Sequence, residues 1–396
     1  MKVRPFKADS LTPGGFDMSV LQKFGNMDKN DAVLARYSEG AKRRVDALCC
    51  PVQYDKRYLL IIPDEVLERD YGCGDPTPHV SEGDTVLDLG CGSGKIAYIA
   101  SQMVGCHGSV IGVDLNSEML SLARRHQRQV AERLGYDNVS FRRGSIQDLA
   151  LDMDIVDKHL QQNPVGSADE VLKFNQYCSN LRKSTPLIKS GSIDVVLSNC
   201  VLNLVNDCEK RQLFQEIYRV TRNGGKVAIS DIVSSRPVPD SLKSDDELWS
   251  GCISGALDEM AFIRAFEEAG FYGVTIMKRA STPWKIIQGI EFRSITVVAF
   301  KGKDGPCIEG GRTVIYRGPF KKVIDDDNHE LVRGSLTSVC DKTYNIYSKP
   351  PYSEHFVLIS SRNASLEALA NHRDERSHDR EPEIDKNSSC CGTTCC

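Results

Sequence analysis

Between residues 80 and 235, short apolar runs alternate with longer segments whose apolar positions recur every three to four residues. Strand-length runs broken by helical periodicity predict parallel strands joined by crossover helices. The runs "DTVLDLG", "SVIGVDL", "VSFRRG", "IDVVLSN" and "GKVAISDI" read as strands, and "KIAYIASQMVG", "NSEMLSLARRHQRQVAERLG" and "DCEKRQLFQEIYRV" as helices. The second helix carries its own boundaries, with Asn116 or Ser117 as N-cap and Gly135 as C-cap. The expected fold class is α/β, with a doubly wound sheet.

Residues 151–190 interrupt this alternation with a polar stretch containing Pro164, Gly166 and Cys178, which predicts an inserted surface excursion. Beyond Trp249, a helix in "LDEMAFIRAFEEAG" precedes strand-like runs from "GVTIMKR" through "EFRSITVVAFKG" to "GRTVIYRG", predicting a small β-rich C-terminal domain. From about residue 360 the chain is polar and ends in "SSCCGTTCC". Such a composition buries too little apolar surface to fold alone, so a disordered tail is expected. The resulting division is an N-terminal cap segment over 1–79, a central domain over 80–280 with an insertion at about 151–190, a β-rich domain over 281–359 and a Cys-rich tail over 360–396.

Composition narrows the partners. The formal net charge is −4 and no basic run offers a footprint for phosphate backbones, which argues against nucleic acid. No apolar window reaches the roughly 18 residues of a membrane span, and the first thirty residues hold no signal-peptide core. The expectation is a soluble cytoplasmic protein without a membrane partner. Fifteen cysteines in 396 residues are many, yet the chain is far too long for a small secreted disulfide scaffold and lacks the regular paired spacing of zinc fingers. Mostly reduced thiols are expected.

The stretch "VLDLGCGSGK" puts Asp88 at a strand end and Gly90, Cys91, Gly92 and Gly94 in the turn that opens a helix, where the backbone can pass close to a ligand. Dinucleotide enzymes use a similar glycine pattern, so the turn alone decides little. Asp114 adds a second signal. It ends the next strand about twenty residues on, where a carboxylate can accept hydrogen bonds from two ribose hydroxyls. Together these stretches resemble the class I S-adenosylmethionine-dependent methyltransferases, which implies a Rossmann-like methyltransferase sheet. The resemblance implies that Asp88 and the glycine turn, with Cys91, hold the amino acid end of S-adenosylmethionine, and that Asp114 binds its ribose. Met119 would then lie along the adenine, Ser145, Ile146 and Gln147 would flank its other face, and Asn199 would join the same site. Read from the residues alone, Met119 and Cys91 are ordinary packing residues and Asp88 a cap for the turn.

In "SNCVLNL", Cys200 stands at the carboxyl end of the strand "IDVVLSN", the sheet edge at which open α/β folds bind ligands. A single such cysteine is by default packing. Cys73 in "DYGCGDP" and Cys252 in "WSGCISGAL" lie in glycine-flanked stretches, as loops that present a thiol would. The set "YGCG", "VLDLGCGSG", "SNCVLNL", "GCISGAL" and the terminal "CCGTTCC" is similar in order and separation to the arsenite methyltransferases. The resemblance covers roughly residues 45–270 and the extreme C-terminus.

It implies that Cys73, Cys200 and Cys252 hold arsenic(III), soft thiol sulfur being what a soft metalloid selects. Cys50, or its neighbour Cys49, would complete the catalytic thiols or act as a reductant. The arsenic lone pair would attack the sulfonium methyl without a general base, and a thiol pair would return two electrons by forming a disulfide. The products would be methylated arsenicals, made for detoxification from arsenite or its thiol conjugates with a cellular reductant of thioredoxin or glutathione type. Two cysteines in "ALCCP", and Gly251, Asp258 and Asp70, depart from the family's usual residues, which bears on the substrate more than on the chemistry. The alternatives are methyl transfer to another small-molecule or metalloid acceptor, and thiol-based metalloid binding without turnover.

Overall fold

The computed structural model describes residues 29–45 and 52–359. The expected thiols Cys49 and Cys50 and the Cys-rich tail lie outside the described residues.

The apolar runs form the centre of an eight-stranded sheet. β1 (Thr85–Leu89), β2 (Ser109–Asp114), β3 (Val139–Arg143), β4 (Ile193–Asn199) and β5 (Thr221–Ser234) lie in the order β3-β2-β1-β4-β5, all parallel. Residues 86–89 of β1 are all buried, as expected of a strand covered by helices on both faces. The order reverses between β1 and β4, and the pairing of Leu89 with Ser198 brings the carboxyl ends of both strands to one edge. A crevice at that reversal is where a doubly wound sheet binds ligands.

The helix Ser117–Leu134 begins as its caps predict. Asn116 Oδ1 accepts from the amides of Glu118 and Met119, and Gly135 ends the helix in a left-handed conformation.

The sheet extends beyond the expected boundary at 280. β6 (Tyr272–Arg279), β7 (Lys285–Ile287) and β8 (Ile290–Phe300) all belong to it, β8 running antiparallel between β5 and β6. "IEFRSITVVAF" is therefore an interior strand of the central sheet, buried at eight of its eleven positions, and the separate β-rich part begins after Phe300. That part comprises the three-stranded sheet β12-β9-β13 (Leu336–Val339, Arg312–Tyr316, Phe356–Ile359), the hairpin β10-β11 (Lys322–Ile324, Glu330–Val332) and the helix Asp341–Tyr347. Its core clusters with Tyr272, and Phe300 packs against it.

The inserted stretch 151–190 is built of two capped helices, Met153–Gln162 and Ala168–Ser184, the second mostly exposed with only Cys178 buried. No described helix is long and apolar enough to cross a membrane.

A helix the hydrophobic pattern does not announce, Lys29–Lys42, lies over the carboxyl edge of the sheet. Asn116 Nδ2 donates to Leu34 O (3.2 Å) and bonds Ser38 Oγ (3.1 Å), and Tyr71 Oη donates to Gly40 O (3.1 Å). On the far side, Arg36 Nη1 donates to Glu247 O (2.7 Å) and Ser250 Oγ (2.9 Å), and Lys29 Nζ sits 3.8 Å from the Trp249 ring centroid.

Candidate active site

Between this helix and the sheet edge lies a cleft of about 1070 Å³, its open mouth included. Asp88, Gly90, Cys91, Gly92, Asp114, Met119, Ser145, Ile146, Gln147 and Asn199 all line it, so of the expected cofactor residues only Gly94 does not. Gly94 sits one step behind, opening the helix Lys95–Val104 in a left-handed conformation.

The turn is held by Asp114, whose Oδ2 accepts from the Gly92 amide (2.9 Å) and whose Oδ1 accepts from the Asn116 amide (2.8 Å). Gly92 has φ of +50°, and a Cβ there would meet nothing within 4 Å, so the turn faces open space. Asp88 Oδ2 is buried without a hydrogen-bond partner. Burial, and then the charges of Asp70 and Asp114, push the Asp88 carboxyl well above its ordinary range. An unpartnered buried acceptor beside an open glycine turn fits the amino group of S-adenosylmethionine, and the lone pairs left on Asp114 fit ribose hydroxyls.

Met119 and Cys91 serve the core and the cleft together. Met119 packs with Ala41 and Tyr71, while the Cys91 sulfur is so close to Gly112 that a Cβ there would lie 2.9 Å from it.

The thiols Cys73, Cys200 and Cys252 converge, each no more than 5% exposed, in one apolar cluster with Ile232, Ile253 and Phe292. The heptapeptide "SNCVLNL" is the hub that assembles them. Asn199 Oδ1 accepts from the amides of Cys73 (2.9 Å) and Gly74 (3.1 Å), and its Nδ2 donates to Gly74 O (2.8 Å). A side chain at Gly72 would overlap the Asn199 amide, which explains the glycine beside this cysteine. Four residues on, Asn203 Nδ2 donates to Cys252 O (3.3 Å) and Ile232 O (2.7 Å). The Cys252 thiol itself donates to Cys200 O (2.9 Å).

Only four non-glycine residues among those described have a positive φ, and Cys200 (+66°) and Cys252 (+60°) are two of them. Left-handed backbone disfavours a side chain and collects at functional sites. The flanking glycines of Cys252 therefore do not supply the bend; the cysteines take it themselves.

Asp231 completes the arrangement and carried no signal in the sequence. Its Oδ2 accepts from the Leu202 amide (2.9 Å), bracing the turn just after Cys200. A carboxylate oxygen of Asp231 and the sulfurs of Cys73 and Cys200 lie within 4.8 Å of one another. Burial pushes the Asp231 carboxyl up to about 7.

Two of the thiols, Cys200 and Cys252, are pushed well above their ordinary range. For Cys200, the downward pull of the Cys252 hydrogen bond is outweighed by the Cys73 hydrogen bond, burial and the charges of Cys73 and Asp231. For Cys252, the hydrogen bond with Cys200 and burial both push upward. Tyr37, from the overlying helix, has its hydroxyl 3.7 Å from the Cys252 sulfur and closes the pocket from above.

Sequence reasoning missed Tyr37, Asn203, Asp231 and the buried pair of Lys95 and Asp70, in which Lys95 also stacks 3.9 Å from the Tyr54 ring centroid. Asn203 alone had a legible signal, as the second asparagine of "SNCVLNL".

A "Methyltransferase domain" family model matches residues 80–188 and 179–270, and a "Domain of unknown function (DUF8838)" matches 303–390. The arsenite methyltransferase of Aquipseudomonas alcaligenes is 31% identical over 348 residues, 85% of this chain and 90% of the relative. That of Mus musculus is 31% identical over 80% of this chain and 77% of its own length. Among solved structures, CrArsM, an arsenic (III) S-adenosylmethionine methyltransferase from Chlamydomonas reinhardtii, superposes with a TM-score of 0.52 at 29% identity, over 79% of this chain and 98% of that one. The chain belongs to the arsenite methyltransferase family.

Proposed function

We propose that this chain methylates trivalent arsenic, received as arsenite or its thiol conjugates, with S-adenosylmethionine as methyl donor, yielding methylated arsenicals for detoxification. One observation carries the reading: Cys200 lines the cofactor cleft and belongs to the buried thiol cluster. A metalloid held by Cys73, Cys200 and Cys252 therefore meets the cleft at Cys200.

The upward shift of the Cys200 and Cys252 thiols suits this substrate. Neutral arsenous acid condenses with three cysteine thiols, each As–S bond forming as an As–O bond breaks and the thiol proton leaves with the hydroxyl as water, so the finished complex adds no net charge to the apolar cluster. A thiolate-lined pocket of the same burial would carry a heavy desolvation cost. Sulfur ligands leave the arsenic lone pair free as the nucleophile.

When bound, S-adenosylmethionine supplies an electrophilic sulfonium methyl. Asp88 accepts from its amino group, Asp114 from its ribose, and Met119 and Ile146 give its base an apolar bed. Asn199 acts here as a positioning residue for the Cys73 loop, because both ends of its amide are engaged there. The helix Lys29–Lys42 excludes water through Leu34 and Tyr37, which keeps the sulfonium from hydrolysis.

Cys50 or Cys49 is the proposed further thiol of the N-terminal segment, residues 80–300 are the proposed catalytic domain, and a thioredoxin- or glutathione-type reductant in the cytoplasm is the proposed electron source. The test is to incubate purified chain with S-adenosylmethionine, arsenite and a dithiol reductant, following methylated arsenicals by chromatography. The expected outcome is product from the parent, none from Cys200→Ser or Cys252→Ser, and near-parental yield from Cys106→Ser, whose thiol is exposed and outside the cluster. Parental turnover by folded Cys200→Ser would overturn the reading.

A further inference from the structure

The β-rich C-terminal part carries a second meeting of thiols, built from residues far apart in sequence. Cys307 lies in the segment that follows the central sheet, and Cys340 immediately precedes the helix Asp341–Tyr347. The Asp341 amide donates to Ile308 O (2.8 Å), and Arg312 Nε donates to Asp341 Oδ1 (2.9 Å), tying the two segments on both sides of Gly310. A side chain at Gly310 would overlap the Asp341 carboxylate, so the approach is as close as backbone allows.

This pairing sets Cys307 and Cys340 beside one another, each being the chain neighbour of a residue in the Asp341–Ile308 hydrogen bond, and Cys307 is among the groups that act on the Cys340 thiol. Both are partly exposed, unlike the catalytic thiols. Cys340 Sγ also accepts from the Thr343 amide (3.5 Å) and lies 3.4 Å from Thr343 Oγ1. Burial alone would raise this thiol, but Thr343 and Cys307 hold it below its ordinary value.

We infer that Cys307 and Cys340 form a bidentate dithiol site for trivalent arsenic, outside the catalytic cleft. Two adjacent, partly exposed thiols, one of them activated, are what a trivalent arsenical with two exchangeable oxygens takes, soft sulfur displacing oxygen. The step needs no oxidant or reductant. Two As–S bonds form, two As–O bonds break, the two thiol protons leave with the oxygens as two waters, and arsenic remains trivalent. The inference rests on the arsenite reading for its choice of ligand but not on turnover, since neither cysteine lines the cleft.

The test uses the full chain carrying Cys200→Ser, freshly reduced and freed of reductant, with phenylarsine oxide as the probe. Free thiols are alkylated with a light reagent, arsenical-protected thiols are released with excess dithiol and alkylated with a heavy one, and peptides are read by mass spectrometry. Heavy label is expected on Cys307 and Cys340 together at stoichiometric probe. Because the second thiol acts at high effective concentration, Cys307→Ser is expected to weaken protection of Cys340 by at least about tenfold, and Cys340→Ser to do the same to Cys307. Cys340→Ser keeps an N-capping oxygen, so its effect is not one of unfolding. Equal light labelling of Cys340 with and without the probe would overturn the inference, as would undiminished Cys340 protection in Cys307→Ser, which would assign the partner thiol elsewhere. A failure of methylation in the parent would count against the proposed reaction and leave this readout unaffected.

Discussion

At the scale of the residue, Cys200 is held in a left-handed conformation that costs about 1–2 kcal/mol for a non-glycine residue. Glycine would adopt it freely. Cys200→Gly is therefore expected to melt close to the parent, relief of strain offsetting lost packing and the greater chain entropy of glycine, while losing arsenite binding and methylation. Calorimetry for arsenite and a thermal melt check both halves; retained arsenite binding would show that the sulfur is packing alone. Asn199→Ala separates the two halves of the site. It leaves the Cys73 and Gly74 amides without their acceptor, so the KM for arsenite is expected to rise while S-adenosylmethionine affinity stays within about threefold of the parent. Asp114→Ala should do the opposite. Loss of two hydrogen bonds to a charged acceptor, each worth about 1.5–3 kcal/mol, predicts at least about a hundredfold weaker S-adenosylmethionine binding by calorimetry. Because that carboxylate also braces Gly92 and Asn116, the melting temperature is expected to fall as well, which the position of Asp114 in sequence does not reveal.

At the scale of the element, what was legible is what is local. The glycine turn, Asp88, the Asn116 and Gly135 caps and the helix Asp207–Val220 are specified within a few residues, and the structure places each where the pattern puts it. The helices of 151–190 had a local signal too, since Ser167 and Glu170 form a cap at the start of the second, with Glu170 Oε2 accepting from the Gly166 amide (2.7 Å). The helix Lys29–Lys42 had almost none, because the residues it buries are the small Ala32, Gly40 and Ala41, which leave no apolar stripe to read. Asp231 and the β5–β8 pairing depend on contacts dozens of residues apart, and no window of sequence contains them.

The hairpin β10-β11 offers a pH test at the same scale. Asp325 Oδ2 bonds His329 Nδ1 (2.8 Å) and accepts from the Tyr347 hydroxyl, tying the hairpin to the helix Asp341–Tyr347. Asp325 above all, against opposing burial, raises the His329 pKa. A raised histidine contributes stability that is full below its unfolded value, about 6.5, and is lost as pH rises through the folded value. His329→Gln is thus expected to lower stability by about 1 kcal/mol at pH 6 and by little at pH 9, measured by denaturant unfolding at both. An equal loss at both would show the imidazole to be packing rather than charge.

At the scale of the whole molecule, the central sheet and the C-terminal part meet along a narrow aromatic seam. Tyr272, in an edge strand, clusters with Val314, Tyr316 and Tyr347 and stacks 6.2 Å from the Tyr352 ring centroid, and Gly273 lies under Pro351. The lining of the cleft and the thiol cluster, by contrast, are drawn from residues no later than Phe292. A chain ending at Gly302 keeps all eight strands of the central sheet and both halves of the site, and loses the cover on Tyr272 and Phe300. Uncovering those two rings costs about 4 kcal/mol at roughly 2 kcal/mol for each large apolar side chain. The truncated chain is therefore expected to keep its circular dichroism and S-adenosylmethionine affinity, to melt several degrees lower, and to methylate arsenite at near-parental kcat when arsenite saturates. If Cys307 and Cys340 deliver metalloid to the cleft, the loss appears in KM for arsenite alone. A collapse of kcat in a truncation that still binds S-adenosylmethionine would place part of the catalytic machinery beyond residue 302, where the structure puts none of the described site.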